Sequence, residues 1–219
     1  MKKPLLPLKA AYLITIPVAW FFLILLLVGC GKPPMAVTKY IMEYPAPVSG
    51  SPPRLADSIQ VEQFAVAQVF NTTDMVYRPD PYRSQAYAYN RWRVNPGYMV
   101  TDSLIRDLTQ SGLFQGVFPG SSGGNARFKV EGAVEEFQEI DEPDGWTAAL
   151  AVSVTLLDTT AENALEKVVF QKSYRVVEPL AAKTPAGLAQ GMSRAMEQAS
   201  ARIVRDLYEG CRKRVSSEQ

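Results

Sequence analysis

The 219-residue chain contains no histidine and only two cysteines, Cys30 and Cys211. The missing histidine excludes Ser-His-Asp and Cys-His nucleophile pairs and histidine-ligated zinc. It also removes the side chain best suited to proton transfer near neutrality. An excess of one charge is missing too, with 23 basic residues against 22 acidic, so no bulk electrostatic case for nucleic-acid binding exists. The EF-hand spacing is absent, and no residue set reads as a metal or cofactor site. Without a catalytic set, the chain reads as a non-enzymatic protein.

What the chain does have is a long apolar run, Ala10 to Gly29, that ends on Cys30 and turns polar at once in Gly31-Lys32. Lys2, Lys3 and Lys9 precede the run with no acidic residue, which suits both an export signal and the cytoplasmic flank of a spanning helix. The length suits a bilayer span. The word Leu27-Val28-Gly29-Cys30 resembles the bacterial lipobox, whose cysteine sits at the C-terminal edge of the apolar run, as it does here. In such signals the thiol is lipidated, the peptide is cut before the cysteine, and the new amino group is acylated. We read Cys30 as the lipidation site; a retained inner-membrane helix is the alternative. By the enteric sorting pattern Gly31, not being Asp, directs the lipoprotein to the outer membrane. Removing residues 1–29 takes three lysines and leaves 20 basic against 22 acidic residues, net −2. Cys211 then has no intramolecular disulfide partner and reads as an incidental residue in a frayed terminal turn.

The mature chain is long enough for one domain with a proper core. Residues 30–57 carry Pro33, Pro34, Pro45, Pro47, Pro52 and Pro53, which favour extended backbone and predict a tether with one short strand in TKYIMEY. Residues 58–209 read as one α+β domain and 210–219 as a basic, polar tail. SIQVEQFAV alternates and then shifts phase, predicting one strand with a bulge. MVYRP and QAYAYNRW predict an aromatic hairpin. Val100, Leu104 and Leu108 predict an amphipathic helix stopped by Gly112.

The strands follow in RFKVEGAVEEFQEI, in the period-two row Trp146, Ala148, Leu150, Val152, Val154 and Leu156, and in VVFQKSYRV; together they predict an antiparallel meander. The opposite row of the second strand, Thr147, Ala149, Ala151, Ser153 and Thr155, is small, so a helix or partner can lie close there. Thr184 with Pro185 caps a last helix whose stripe runs from Leu188 through Met192 and Met196 to Leu207. The methionines read as core. The order predicts a mainly antiparallel sheet with two helices packed on one face.

Three segments are candidates for function. GSSGG at 120–124 matches G-x-S-x-G around Ser122, but a strand follows it and no histidine exists, so it reads as a flexible connection. The acidic run Glu135 to Gly145 reads as a solvated hairpin tip, because Pro143-Asp144-Gly145 is turn chemistry. The segment 76–93 interleaves Tyr77, Tyr82, Tyr87, Tyr89 and Trp92 with Arg78, Arg83, Arg91 and Arg93. Those are favoured contact types at protein interfaces, and equally the face of a packed hairpin. From this segment we take Tyr77, Arg78, Tyr87, Tyr89, Arg91 and Trp92 as candidate partner-binding residues.

Taken together, the lipobox at Cys30, YIMEY with SIQVEQFAV, the segment MVYRPDPYRSQAYAYNRWRVNPGYMVTDSLIRDLTQSGLF, and the helix after TPAGLAQGM resemble the ABC-type transport auxiliary lipoproteins, exemplified by the paraquat-inducible system. The likeness covers most of residues 36–209. It implies a periplasmic, lipid-anchored, non-enzymatic subunit without cofactor. Its implied partners are a mammalian-cell-entry (MCE) domain protein that spans the envelope and, in some systems, a permease and ATPase. The implied task is to move lipids or apolar compounds between membranes. It implies the lipid on Cys30 and marks Tyr77, Tyr89, Arg91 and Trp92 as the family's recognisable strand. Association with ring-forming MCE proteins implies a homo-oligomer. A reading of another class is an independent lipid carrier or chaperone with its own apolar cavity.

Overall fold

The computed structural model describes residues 35–47 and 52–217; the leader and Cys30 lie outside the described residues. The folded unit starts at Val37. Its strands are β1 (Thr38–Tyr40), β2 (Ile59–Val61), β3 (Ala65–Val66), β4 (Asp74–Asp80), β5 (Arg83–Trp92), β6 (Val117–Pro119), β7 (Phe128–Glu142), β8 (Gly145–Asp158) and β9 (Val168–Pro179). Two long helices, α1 (Pro96–Ser111) and α3 (Pro185–Ser216), join a four-residue turn of helix, α2 (Ala164–Lys167). Helices and strands share one curled mixed sheet and one core, an α+β domain.

The long strand β7 organises the sheet. One edge pairs along its length with β8, antiparallel, and β8 pairs likewise with β9. The other edge receives β2, β3 and β4 in succession, all parallel. Beyond β4 lie β5, antiparallel, and β1, parallel to β5. β6 lies beside β2. The antiparallel ladders carry most of the paired residues, as expected, but the parallel docking on β7 was not foreseen. SIQVEQFAV is therefore two strands, not one with a bulge. The chain breaks at Glu62–Phe64 to drop Phe64 into the core, 2% exposed.

Helix α1 starts where Asn95 accepts the Gly97 N–H and Pro96 opens the first turn. It ends at Gly112, whose φ of 66° is open to glycine at little steric cost. Helix α3 starts where the Thr184 hydroxyl accepts the Gly187 N–H at 3.0 Å. Its stripe Leu188, Met192, Ala195, Met196, Ala199, Ile203 and Leu207 is fully buried, each large side chain contributing about 1.5–3 kcal/mol of burial. The helix lies on the larger row of β8, not the small one: a Cβ at Gly191 would stand 3.0 Å from the Ala148 Cβ.

Cys211 is not in a frayed turn. The helix continues to Ser216 and buries the thiol completely, because position 211 extends the apolar stripe while Arg212 and Lys213 face solvent. Desolvation by burial pushes its pKa far up. The segment after β1 is locked in place as well. The Tyr44 hydroxyl donates to the buried Asp107 at 2.7 Å, and Ser200 of α3 donates to the same carboxylate.

Candidate docking site

The aromatic stretch forms the β4–β5 hairpin, and the structure separates its six candidate residues into three groups. Trp92 belongs to the interior. It is 1% exposed, with its ring edge-on to Phe137 at 5.1 Å between centroids. It supports the hairpin from beneath and offers no surface to a partner. Arg91 is paired with Asp74 of β4 at 2.8 Å. Tyr89 is exposed, at 44%.

The remaining three lie toward the hairpin tip. Tyr77 and Tyr87 stack at 5.2 Å in a tilted pair, and Arg78 beside them is half-buried. Residues 81–86 are all exposed. At the tip Tyr82 is 96% exposed, the most open large side chain described on this hairpin, held where the Asp80 carboxylate accepts its backbone N–H at 3.0 Å. Arg83 is paired with Asp80.

Beneath the tyrosine pair is a polar cluster that the sequence reading assigned to a solvated turn. Glu135 and Glu142 to Asp144 are exposed as expected; Glu139 is fully buried and Asp141 half-buried. A bulge in β7 between Val134 and Glu136 shifts the alternation, so Glu139 points inward with Phe137. The Tyr87 hydroxyl donates to Glu139 Oε2 at 2.9 Å. Lys183, on the loop before α3, pairs with Asp141 Oδ2 and lies 5.5 Å from the Tyr77 ring centre.

Glu139 Oε1 and Asp141 Oδ1 are buried with no hydrogen-bond partner among the described atoms. Burial pushes the Glu139 pKa up to about 7; the Tyr87 bond opposes that rise, and the Asp141 charge adds to it. The hydrogen bond to Asp141 raises the pKa of Lys183. A proton on Glu139 lets its carboxyl donate to the neighbouring Asp141 carboxylate. The cluster thus fastens three elements together: β5 through Tyr87, β7 through its carboxylates, and the entry to α3 through Lys183.

The would-be nucleophile Ser122 is in an exposed turn, its hydroxyl donating to the Pro119 carbonyl at 2.8 Å. Among the described residues no group of three or more cysteine, aspartate or glutamate side chains is placed to hold a metal ion, and no helix is long and apolar enough to cross a membrane.

The sequence model of the ABC-type transport auxiliary lipoprotein component family matches residues 40–204. The chain belongs to that family. No curated protein matches it. Among solved structures, a protein from Xanthomonas campestris is similar at 18% identity, with a TM-score of 0.74 over 82% of this chain and 99% of the other. A second, uncharacterised protein is similar at 14% identity, with a TM-score of 0.61 over 78% and 99%. At such identities the likeness concerns the fold. Family membership makes the chain a transport auxiliary component and gives it a lipid-anchored, cell-envelope setting.

Proposed function

We propose that this auxiliary lipoprotein is a non-enzymatic accessory subunit of an ABC/MCE-type lipid transport system, held by a lipid on Cys30 at the periplasmic face of the outer membrane. The family match over residues 40–204 carries the reading. Two structural facts support its finer parts. Of the two cysteines, Cys211 is buried on the core face of α3, which argues against it as the modified thiol, while Cys30 carries the lipobox word. The hairpin tip with Tyr82, Arg78 and Arg83 presents the residue types of interface hot spots on a rigid, clasped support. It is the surface that meets the MCE-domain protein.

The test is capture of the tagged chain from detergent-solubilised envelopes, with identification of the co-purifying chains. Recovery of an MCE-domain protein, reduced by Tyr82→Ala with Arg83→Ala, supports the reading. Lipid travelling with the purified protein in the absence of any such partner replaces it with the independent carrier. Mass measurement of the mature chain and of Cys30→Ser tests the anchor separately.

A further inference from the structure

At the other end of β5 from its tip lies a surface of different character. Along the start of the domain Val37, Lys39 and Ile41 are exposed and alternate with Tyr40 and Met42, which pack against the core. Val37 is 50% exposed and Ile41 58%. The parallel register sets Lys39 beside Arg91 and Tyr40 beside Trp92, and the Arg93 N–H donates to the Tyr40 carbonyl at 2.7 Å. Arg93 therefore comes next to Ile41. Ile41, Arg93 and Val94 line one depression of about 290 Å³ in which Asp102 is the acidic residue. Tyr89, exposed, precedes Arg91 by two residues.

The combination is specific: aliphatic side chains, a tyrosine and exposed cations on one side of a domain whose mature chain is net acidic. Isolated exposed apolar residues need no explanation, but apolar residues interleaved with Lys and Arg are the makeup of a membrane-interface surface. Chain length supplies the second argument. Six residues separate Cys30 from Val37, and the seven steps between the two reach at most about 25 Å when fully extended. With Cys30 lipidated, this surface stays within one short tether of the bilayer.

We propose that the surface formed by Val37, Lys39, Ile41, Tyr89, Arg93 and Val94 rests on the membrane, the aliphatic groups entering the headgroup region and Lys39 and Arg93 meeting anionic lipid phosphates. The inference rests on the Cys30 anchor. It gives the domain an orientation: β5 is ten residues long, about 30 Å at strand rise, so the docking tip lies along the strand from this patch and the two surfaces are separate.

The test uses the full lipidated chain in vesicles of phosphatidylethanolamine and phosphatidylglycerol. An environment-sensitive fluorophore is placed on Ile41→Cys, with Leu165→Cys, a position 84% exposed on α2, as the control. The buried Cys211 and acylated Cys30 do not compete for label. The expected result is a blue shift at position 41 and quenching there by brominated acyl chains, neither of them at 165. Lys39→Glu with Arg93→Glu weakens both signals. Equal behaviour of the two positions in a chain shown by mass to carry its lipid overturns the proposal and leaves the anchor standing. Protection at 41 seen only while envelope proteins co-purify also overturns it, in favour of a protein occupant. An unmodified Cys30 overturns the anchor and the surface together.

Discussion

Tyr87 donates its hydroxyl hydrogen to Glu139 Oε2 at 2.9 Å across 52 residues of sequence, and this bond joins the aromatic hairpin to the central strand. The carboxylate that receives it is fully buried and titrates near 7 rather than at its ordinary value near 4.5.

Stability is therefore expected to fall as pH rises from about 5 to 8. The folded state holds a proton that the unfolded chain releases at its lower pKa, so raising the pH through that window favours unfolding, by at most about 3 kcal/mol. Glu139→Gln preserves both contacts, accepting from Tyr87 and donating to Asp141. Thermal melts of wild type and Glu139→Gln across the window should diverge, the variant gaining on wild type toward pH 8. Parallel curves would show that Glu139 does not titrate there.

The hairpin's two most informative aromatics should behave in opposite ways. Trp92→Ala removes a side chain packed on Phe137 and should cost about 3–5 kcal/mol in denaturant unfolding. Tyr82→Ala, at a fully open tip, should stay within about 0.5 kcal/mol of wild type and yet reduce partner capture. A Tyr82→Ala chain that unfolds early would mean that the tip is part of the core.

At the far end of the sheet Asp158 is buried between Arg127, at 3.1 Å, and Arg214 of α3, at 3.0 Å. Burial alone would raise its pKa; bonds from Thr160 and the two guanidinium groups hold it well below the usual carboxylate range instead. That stabilisation is present above the ordinary pKa of an aspartate and is lost as pH falls through the depressed one. Asp158→Asn should cost about 3 kcal/mol near neutrality, and the deficit should shrink in strong acid.

Gly132 on β7 faces Phe64: a Cβ there would stand 2.4 Å from the phenyl edge and 2.5 Å from the Ser153 carbonyl oxygen. The carbonyl cannot swing aside as a side chain can. Gly132→Ala should cost about 1–3 kcal/mol, read as a lower denaturation midpoint with an unchanged slope.

The two long helices and the β7–β8–β9 meander were legible in the sequence because each is written locally, in a period of 3.6 or 2 and in caps such as Thr184-Pro185 and Gly112. Strand neighbours are not written locally. Period two tells that Ile59 and Val61 face a core, and says nothing of their lying parallel to Phe128 and Val130. The site was legible as an aromatic segment but not as a surface. Trp92 and Tyr82 look equivalent in sequence, and only the packing of Phe137 and the reach of the turn separate them. Glu139 was lost among its acidic neighbours, since the bulge that turns it inward and the tyrosine that meets it lie outside any local window.

The parallel docking of β2, β3 and β4 on one edge of β7 also orders events in time. Ile59 waits for Phe128, Ala65 for Ala133 and Tyr77 for Glu139, so the first strands to emerge have no template until the centre of the chain has followed. The hairpins of the C-terminal half close over short loops, whereas these contacts must close long ones, and such closures slow folding. During that interval the apolar β2 and β3 segments are available to wrong partners, including each other on neighbouring chains. A nascent molecule of this kind is an apt client for a holding chaperone, and its window of need ends when β7 is complete.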